Sequence, residues 1–353
     1  MASATDTLLA ETVRRIDGAD PAAFARAQAA LDAKTKPRRS LGRLEELACR
    51  IVATRGDGPF EAAVVAAAGD HGVAREGVSA YPQEVTRQML MNFAEGGAAI
   101  CVLAREADAR LVVVDAGVVE PVVDPRIRDV RIGAGTANIA EGPAMSRDQA
   151  LEALAAGIDL AGELAAEGIG ALCLGEMGIA NTTAASALSA ALLPADPAAV
   201  CGRGTGLDDE GVRRKVDVVR RALEANTPDA DDPLGCLAAL GGFEIALLAG
   251  LALGGAAERL VVVLDGFIVG TAALVACRLA PLLSEHLVAS HLSPEPGHRL
   301  VLDALGLRPL LDLDLRLGEG TGAVLALPLL RASLALLTDM ATFDHAGVSD
   351  ARV

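Results

Sequence analysis

The stretch that decides the fold is "AAVVAAAGDHG", residues 62–72. Seven small apolar residues run without interruption and stop at Asp70–His71, set between two glycines. A strand with one wet face alternates polar and apolar residues. An unbroken apolar run ended by turn residues fits a strand buried on both faces. The same device recurs downstream. "LVVV" (111–114) meets "DAG", "GALCL" (170–174) meets "GEMG", and "AAVC" (198–201) meets "GRGTG". "RLVVVL" (259–264) then meets "DGF", and "EHLVAS" (285–290) meets "HLSPEPGH". Helical patterns lie between these runs. The expectation is an α/β fold with a Rossmann-like, mainly parallel sheet and helices on both faces. Ligands of such folds bind outside the carboxyl ends of the strands, so the glycine-rich turns should carry the chemistry.

One run differs. "LDLDLRL" (311–317) alternates leucine with charge, which predicts a strand toward the sheet edge. It leads into "GEGTG" (318–322), where Glu319 is a lone carboxylate between glycines. "GEGTGA" matches the dinucleotide fingerprint only formally, because no further strand follows it. No phosphate-loop motif with lysine occurs.

Composition narrows the function. The 353 residues carry 31 basic and 47 acidic side chains, a net charge of −16. That argues against nucleic acid or an anionic membrane as partner, but leaves room for a phosphate held locally by backbone N–H groups. The five histidines show no metal-ligand spacing, so no metal site is expected. Six scattered cysteines read as small buried apolar residues in a reducing compartment, and no signal peptide is seen, so the cytoplasm is expected. The apolar stretches 237–257 and 322–337 contain Glu244 and Arg331 and read as buried helices, not membrane spans.

Residues 5–53 read as helices, one capped by Asp20 with Pro21 at its first position and another capped by Ser40. Between them, "KTKPRRS" (34–40) is a basic loop with two of the three lysines. The N-terminal helical segment (1–55) should pack with the C-terminal helices (324–353) as a smaller helical domain beside an α/β core (56–323).

Several motifs have both a chemical and a plain structural reading. "GEMGIANTT" (175–183) and "GRGTG" (202–206) present N–H groups near helix starts, as an anion site would, or are simple turns. Lys215 suits a phosphate as a point charge, or lies on a solvated helix face. Asp70–His71 is catalytic or fixes a loop. Residues 77–93, with Tyr81, Met89, Met91 and Phe93, line a pocket for a flat ligand or form an amphipathic helix starting near Pro82.

Taken in order, "KPRRSLGRLEELA", "AGDHGVAREGVSAYPQEVTRQM", "NFAEGGAAI", "GEMGIANTT", "GRGTGLDDEG" and "EPGHRLVLDALGLRPLLDLDLRLGEGTGA" resemble the nicotinate-nucleotide:dimethylbenzimidazole phosphoribosyltransferase family over nearly the whole chain. The resemblance implies a homodimer, needing no cofactor, that moves phosphoribose from nicotinate mononucleotide to dimethylbenzimidazole and inverts the anomeric centre. It implies Glu319 as the catalytic base. It places the base pocket at Ser79, Tyr81, Gln88, Met89 and Leu317. It places the phosphoribosyl and nicotinate side at Gly175, Glu176, Met177, Gly178, Asn181, Thr182, Gly202, Arg203, Gly204, Lys215, Asp265 and Gly266. A different lower-ligand base, or a non-catalytic nucleotide-binding member, are the alternatives. Cys101, Ala180, Leu292 and Pro294 depart from the family pattern, and Ala180 is expected to hold its backbone at negative φ where glycine is usual.

Overall fold

A computed structural model describes residues 3–56, 58 and 60–349; the outermost residues of the expected helical unit, 1–2 and 350–353, lie outside these. Among the described residues six strands form one sheet: β1 (Glu61–Gly69), β2 (Ala109–Gly117), β3 (Ile127–Asp129), β4 (Ile169–Met177), β5 (Val261–Leu264) and β6 (Leu287–Ala289). Their order is β3-β2-β1-β4-β5-β6, and every neighbouring pair is parallel. The direction of winding therefore reverses between β1 and β4, which puts the crevice of a doubly wound sheet over their carboxyl ends.

The unbroken apolar run of β1 has the two-faced burial it predicts. Ala62, Val64, Ala66 and Ala68 join one core with the helices Arg43–Arg55, Ala99–Glu106 and Thr321–Thr338. Ala63, Val65 and Ala67 join the other core with Arg147–Ala166, Asn181–Leu192 and Phe243–Ala257. Thr321–Thr338 is long and apolar enough to cross a membrane, yet Ala323, Val324, Ala326, Leu327 and Leu330 pack on the sheet.

With few rings available, close backbone approach replaces bulk. Helices Arg147–Ala166 and Phe243–Ala257 meet at Gly157 and Gly250. A Cβ at Gly250 would lie 2.0 Å from the Leu154 carbonyl oxygen, and one at Gly157 2.1 Å from that of Leu247.

Helices near the two ends of the chain touch. Pro21–Asp32 packs on Arg43–Arg55 through Ala27, Leu31, Ala48 and Cys49, with Leu337 against them. The basic loop is pinned there. Lys34 Nζ donates to the Met340 carbonyl at 2.6 Å, and Lys36 pairs with Glu45 at 2.8 Å, both buried. Asp20 caps its helix by accepting from the Ala22 N–H at 2.8 Å.

Four local expectations fail. Residues 311–317 are not a strand: β6 ends at Ala289, and among the described residues beyond it a single isolated bridge joins His291 to Leu311. Beyond it Asp314 turns left-handed (φ 55°), and Leu313 and Leu317 point to solvent. Residues 198–201 are not a strand either. Asp196 and Pro197 start a one-turn helix, Pro197–Val200, with the Asp196 side chain accepting from the Ala198 N–H; a helix-start signal outranks a short apolar run. Ser40 is not a cap: the helix Arg43–Arg55 begins after Gly42, whose φ of 56° delays the start. Finally, Ala180 sits at φ 72°, in the left-handed region it was expected to avoid.

Replacing Gly250 by Ala should cost about 1–3 kcal/mol through overpacking. Gly162→Ala, in the same helix pair but with open space around it, should be neutral or gain about 0.5–1 kcal/mol. Denaturant unfolding of the two variants tests this, and equal effects would rule out the glycine contact as a constraint.

Candidate active site

The carboxyl ends of β1, β4, β5 and β6 converge on the loop 318–322. Gly318, Glu319 and Gly320 have φ of 84°, 65° and 89°, three left-handed residues in succession. For glutamate this conformation is sparsely populated, and such strain persists only where surroundings enforce it. Three contacts enforce it here. The Glu319 N–H donates to the Glu176 carbonyl at the end of β4 (3.2 Å). Gly175 lies against the backbone of 319 and 320, where a Cβ would come within 2.5 Å. Asp265, just past β5, accepts from the N–H groups of Gly320 (2.9 Å), Gly322 (2.8 Å) and Ala323 (3.3 Å). Asp265 thereby caps the helix Thr321–Thr338 from another part of the chain. His291 stands behind Asp265, Nδ1 to Oδ1 3.6 Å.

The Glu319 side chain is 4 % exposed. It accepts a hydrogen bond from the Ile100 N–H at the start of helix Ala99–Glu106, and its Oε2 has no partner. Burial pushes this carboxyl up to about 7, opposed by the Ile100 bond and reinforced by the charge of Asp265. Glu176, also buried, accepts from the Asn181 amide and is pushed up to about 8, chiefly by burial. A carboxyl held near neutrality can exchange a proton at working pH.

A small cavity of about 90 Å³ lies over these ends, walled by Glu176, Met177, Gly178, Asn181, Thr182, Gly204, Gly266 and Leu317. It shares Gly204, Glu295 and Arg316 with an adjoining groove of about 890 Å³ along 201–209. Lys215, on helix Asp209–Asn226, is fully buried. Its Nζ donates to Thr182 Oγ1 (2.8 Å) and the Gly202 carbonyl (3.4 Å). Burial lowers its pKa, with Glu295 working against that. Arg203 also lines the groove, and its guanidinium donates to the Leu207 carbonyl (2.8 Å) and to Asp209.

The base-side residues are spread more widely. Ser79 faces Thr205 (Oγ to Oγ1 3.4 Å) and so abuts the same loop. Gln88 lines a separate cavity of about 330 Å³ with Asp70, Gln83 and Arg87. Met89 leans on the core, and Tyr81 is 55 % exposed.

Sequence reading missed a buried pair. His71 Nε2 lies 2.6 Å from Glu244 Oε1, with Glu244 fitted against Gly69, Gly178 and Gly242, where no side chain could stand. Burial disfavours the imidazolium, but the attraction and hydrogen bond of Glu244 outweigh it and His71 is raised. The only signal was a single carboxylate in the apolar stretch 237–257. Among the described residues no cluster of side chains could hold a metal ion.

A family model described as Phosphoribosyltransferase matches residues 16–348. The chain belongs to that family. The nicotinate-nucleotide–dimethylbenzimidazole phosphoribosyltransferase of Thermus thermophilus is 55 % identical over 334 residues, 94 % of this chain and 99 % of its own. The protein of the same name from Geobacter metallireducens is 50 % identical over 350 residues, 98 % and 99 % respectively. A crystal structure of the Thermus thermophilus enzyme, at 53 % identity, superposes with a TM-score of 0.89 over 94 % of this chain and all of that one. The fold described above is therefore shared with that enzyme over 94 % of this chain.

Between pH 4.5 and 8 folded Glu176 keeps a proton that the unfolded chain releases, so this group makes stability fall as pH rises. Glu176→Gln removes that slope. Its stability relative to the parent should rise by about 2–4 kcal/mol from pH 5 to pH 8. Thermal melts at the two pH values check it, and a difference independent of pH would mean Glu176 is not shifted.

Proposed function

We propose that this chain transfers the phosphoribosyl group of nicotinate mononucleotide to 5,6-dimethylbenzimidazole, giving α-ribazole 5′-phosphate and nicotinate. The observation that carries the assignment of roles is Glu319: a buried carboxylate with its pKa pushed up to about 7 and one oxygen without a partner. The glycosidic nitrogen of the nucleotide is a pyridinium and leaves as a neutral pyridine nitrogen, so its departure needs no general acid. One ring nitrogen of the benzimidazole attacks C1′ from the face opposite nicotinate, inverting the centre. The other ring N–H becomes acidic as the bond forms. Glu319 accepts that proton, a contribution of about 10²–10⁴-fold for a well-placed general base.

Binding the phosphoribose in place supplies the rest by making attack effectively unimolecular. The loops 175–183 and 202–206 and the Lys215 ammonium are the groups suited to hold it. Ser79, Tyr81, Gln88, Met89 and Leu317 belong to the base side in this reading. The terminal helices, 1–55 and 324–353, form the smaller domain beside the 56–323 core. The enzyme works as a homodimer in the cytoplasm, which six unpaired cysteines suit.

Incubation with nicotinate mononucleotide and a panel of bases, read by mass, tests the reaction; no base-ribose phosphate from any of them would end the proposal. Glu319→Gln should keep substrate binding and lower kcat by about 10²-fold or more. In the parent, kcat/KM should rise toward a plateau above about pH 7, since the base must be deprotonated. An unchanged kcat in the variant would remove Glu319 as the base. Lys215→Met, which keeps the volume and drops the charge, should raise KM for the nucleotide by about 10–100-fold with kcat little altered. A rise confined to KM for the base would move Lys215 to the other side of the site.

A further inference from the structure

We infer that Glu295 is a built-in occupant of the anion cradle: its carboxylate fills the 202–204 loop in the empty site and is displaced by the phosphate of the substrate. The inference rests on the reading above for where the phosphate goes. Gly204 offers the loop a backbone N–H, but that N–H already donates to Glu295 Oε1 at 2.8 Å. Gly202 leaves the slot in which Oε2 sits, where a Cβ would stand 2.3 Å from that oxygen. Glu295 also borders both the small cavity and the adjoining groove, so it stands on the wall they share. Lys215 Nζ lies beside the same loop, 3.3 Å from where a Cβ on Gly204 would stand; it is fully buried, its bonds go to a hydroxyl and a carbonyl, and the charge of Glu295 favours its ammonium form.

A carboxylate and a phosphate cannot both use this cradle. They would compete for the Gly204 N–H and for one ammonium, and they repel each other at short range in a poorly screened site. The hold on Glu295 is weak enough to be broken. Its Oε2 is buried without any hydrogen-bond partner, which costs free energy. It begins the helix Pro296–Ala304, yet its side chain makes no bond to that helix. Pro294 and Pro296 flank it and stiffen the backbone, so the carboxylate leaves by turning about its own side-chain bonds. In the empty site Glu295 neutralises Lys215; with substrate bound the phosphate does, and the loop keeps one counter-charge throughout.

Calorimetric titration of the full chain with nicotinate mononucleotide and with the phosphate-free nicotinate riboside tests this. Glu295→Gln keeps an acceptor for Gly204 and drops the charge; Glu295→Ala drops both. Each should bind the mononucleotide about tenfold more tightly, the scale of one like charge removed at short range, and bind the riboside as the parent does. Melting curves establish that the variants are folded, and the glutamine variant suffices if the alanine one is not. Mononucleotide binding that is weaker or unchanged, or equal tightening of both ligands, overturns the inference, and weakening would make Glu295 the support of the Lys215 charge. If the parent bound the mononucleotide but made no transfer product, the proposed function would fall while this comparison still stood.

Discussion

The buried carboxylate of Asp265 is the contact on which the site depends. Three N–H groups from the first turn of helix Thr321–Thr338 converge on it. Each is an orphan donor that the helix cannot satisfy internally, and their aligned dipoles favour a negative charge at that spot. One interaction thus fixes where the last long helix begins, how closely 318–320 approaches β4, and how Glu319 is presented. The glycines on either side remove the steric objection to a left-handed loop; Glu319 itself carries the strain, as functional residues often do.

Around that anchor the site collects acids. Glu176, Glu244, Asp265 and Glu319 are all buried at the carboxyl end of the sheet, with His71, His291 and Lys215 buried among them. Unpaired buried charge is costly, so protons or partners must make up the difference. His71 is paired to Glu244, whereas Glu176 and Glu319 have pKa values moved toward neutrality by burial. The same crowding that makes the region expensive makes its carboxyls useful near pH 7.

Much of this was legible in the sequence. The apolar runs of β1, β2, β4, β5 and β6 announced a sheet buried on both faces, because small residues without alternation have no wet side to serve. Of the strand-end loops singled out there, 175–183, 202–206 and 318–322 border one cavity. What failed was local. The leucine and charge alternation at 311–317 has a strand's period, but pairing needs a neighbour, and β6 is too short to give one. Ala180 shows that a side chain can be forced into a glycine's conformation when the loop around it is over-determined. The roles of Glu295 and Glu244 were invisible for another reason. Each depends on a partner far along the chain, Gly204 or His71, and no local pattern encodes such a meeting.

The cap on Thr321–Thr338 also couples the site to the core of the molecule. Asp265 follows β5, so its carboxylate enters the core together with the sheet, whereas the N–H groups that compensate it belong to residues 320–323. Without that helix Asp265 would be left either hydrated or buried uncompensated. The first is cheaper, so loss of the helix would open the carboxyl ends of β4 and β5 to water. The same helix covers one face of the sheet through Ala323, Val324, Ala326, Leu327 and Leu330, so the loop that presents Glu319 and the core beneath it stand or fall together.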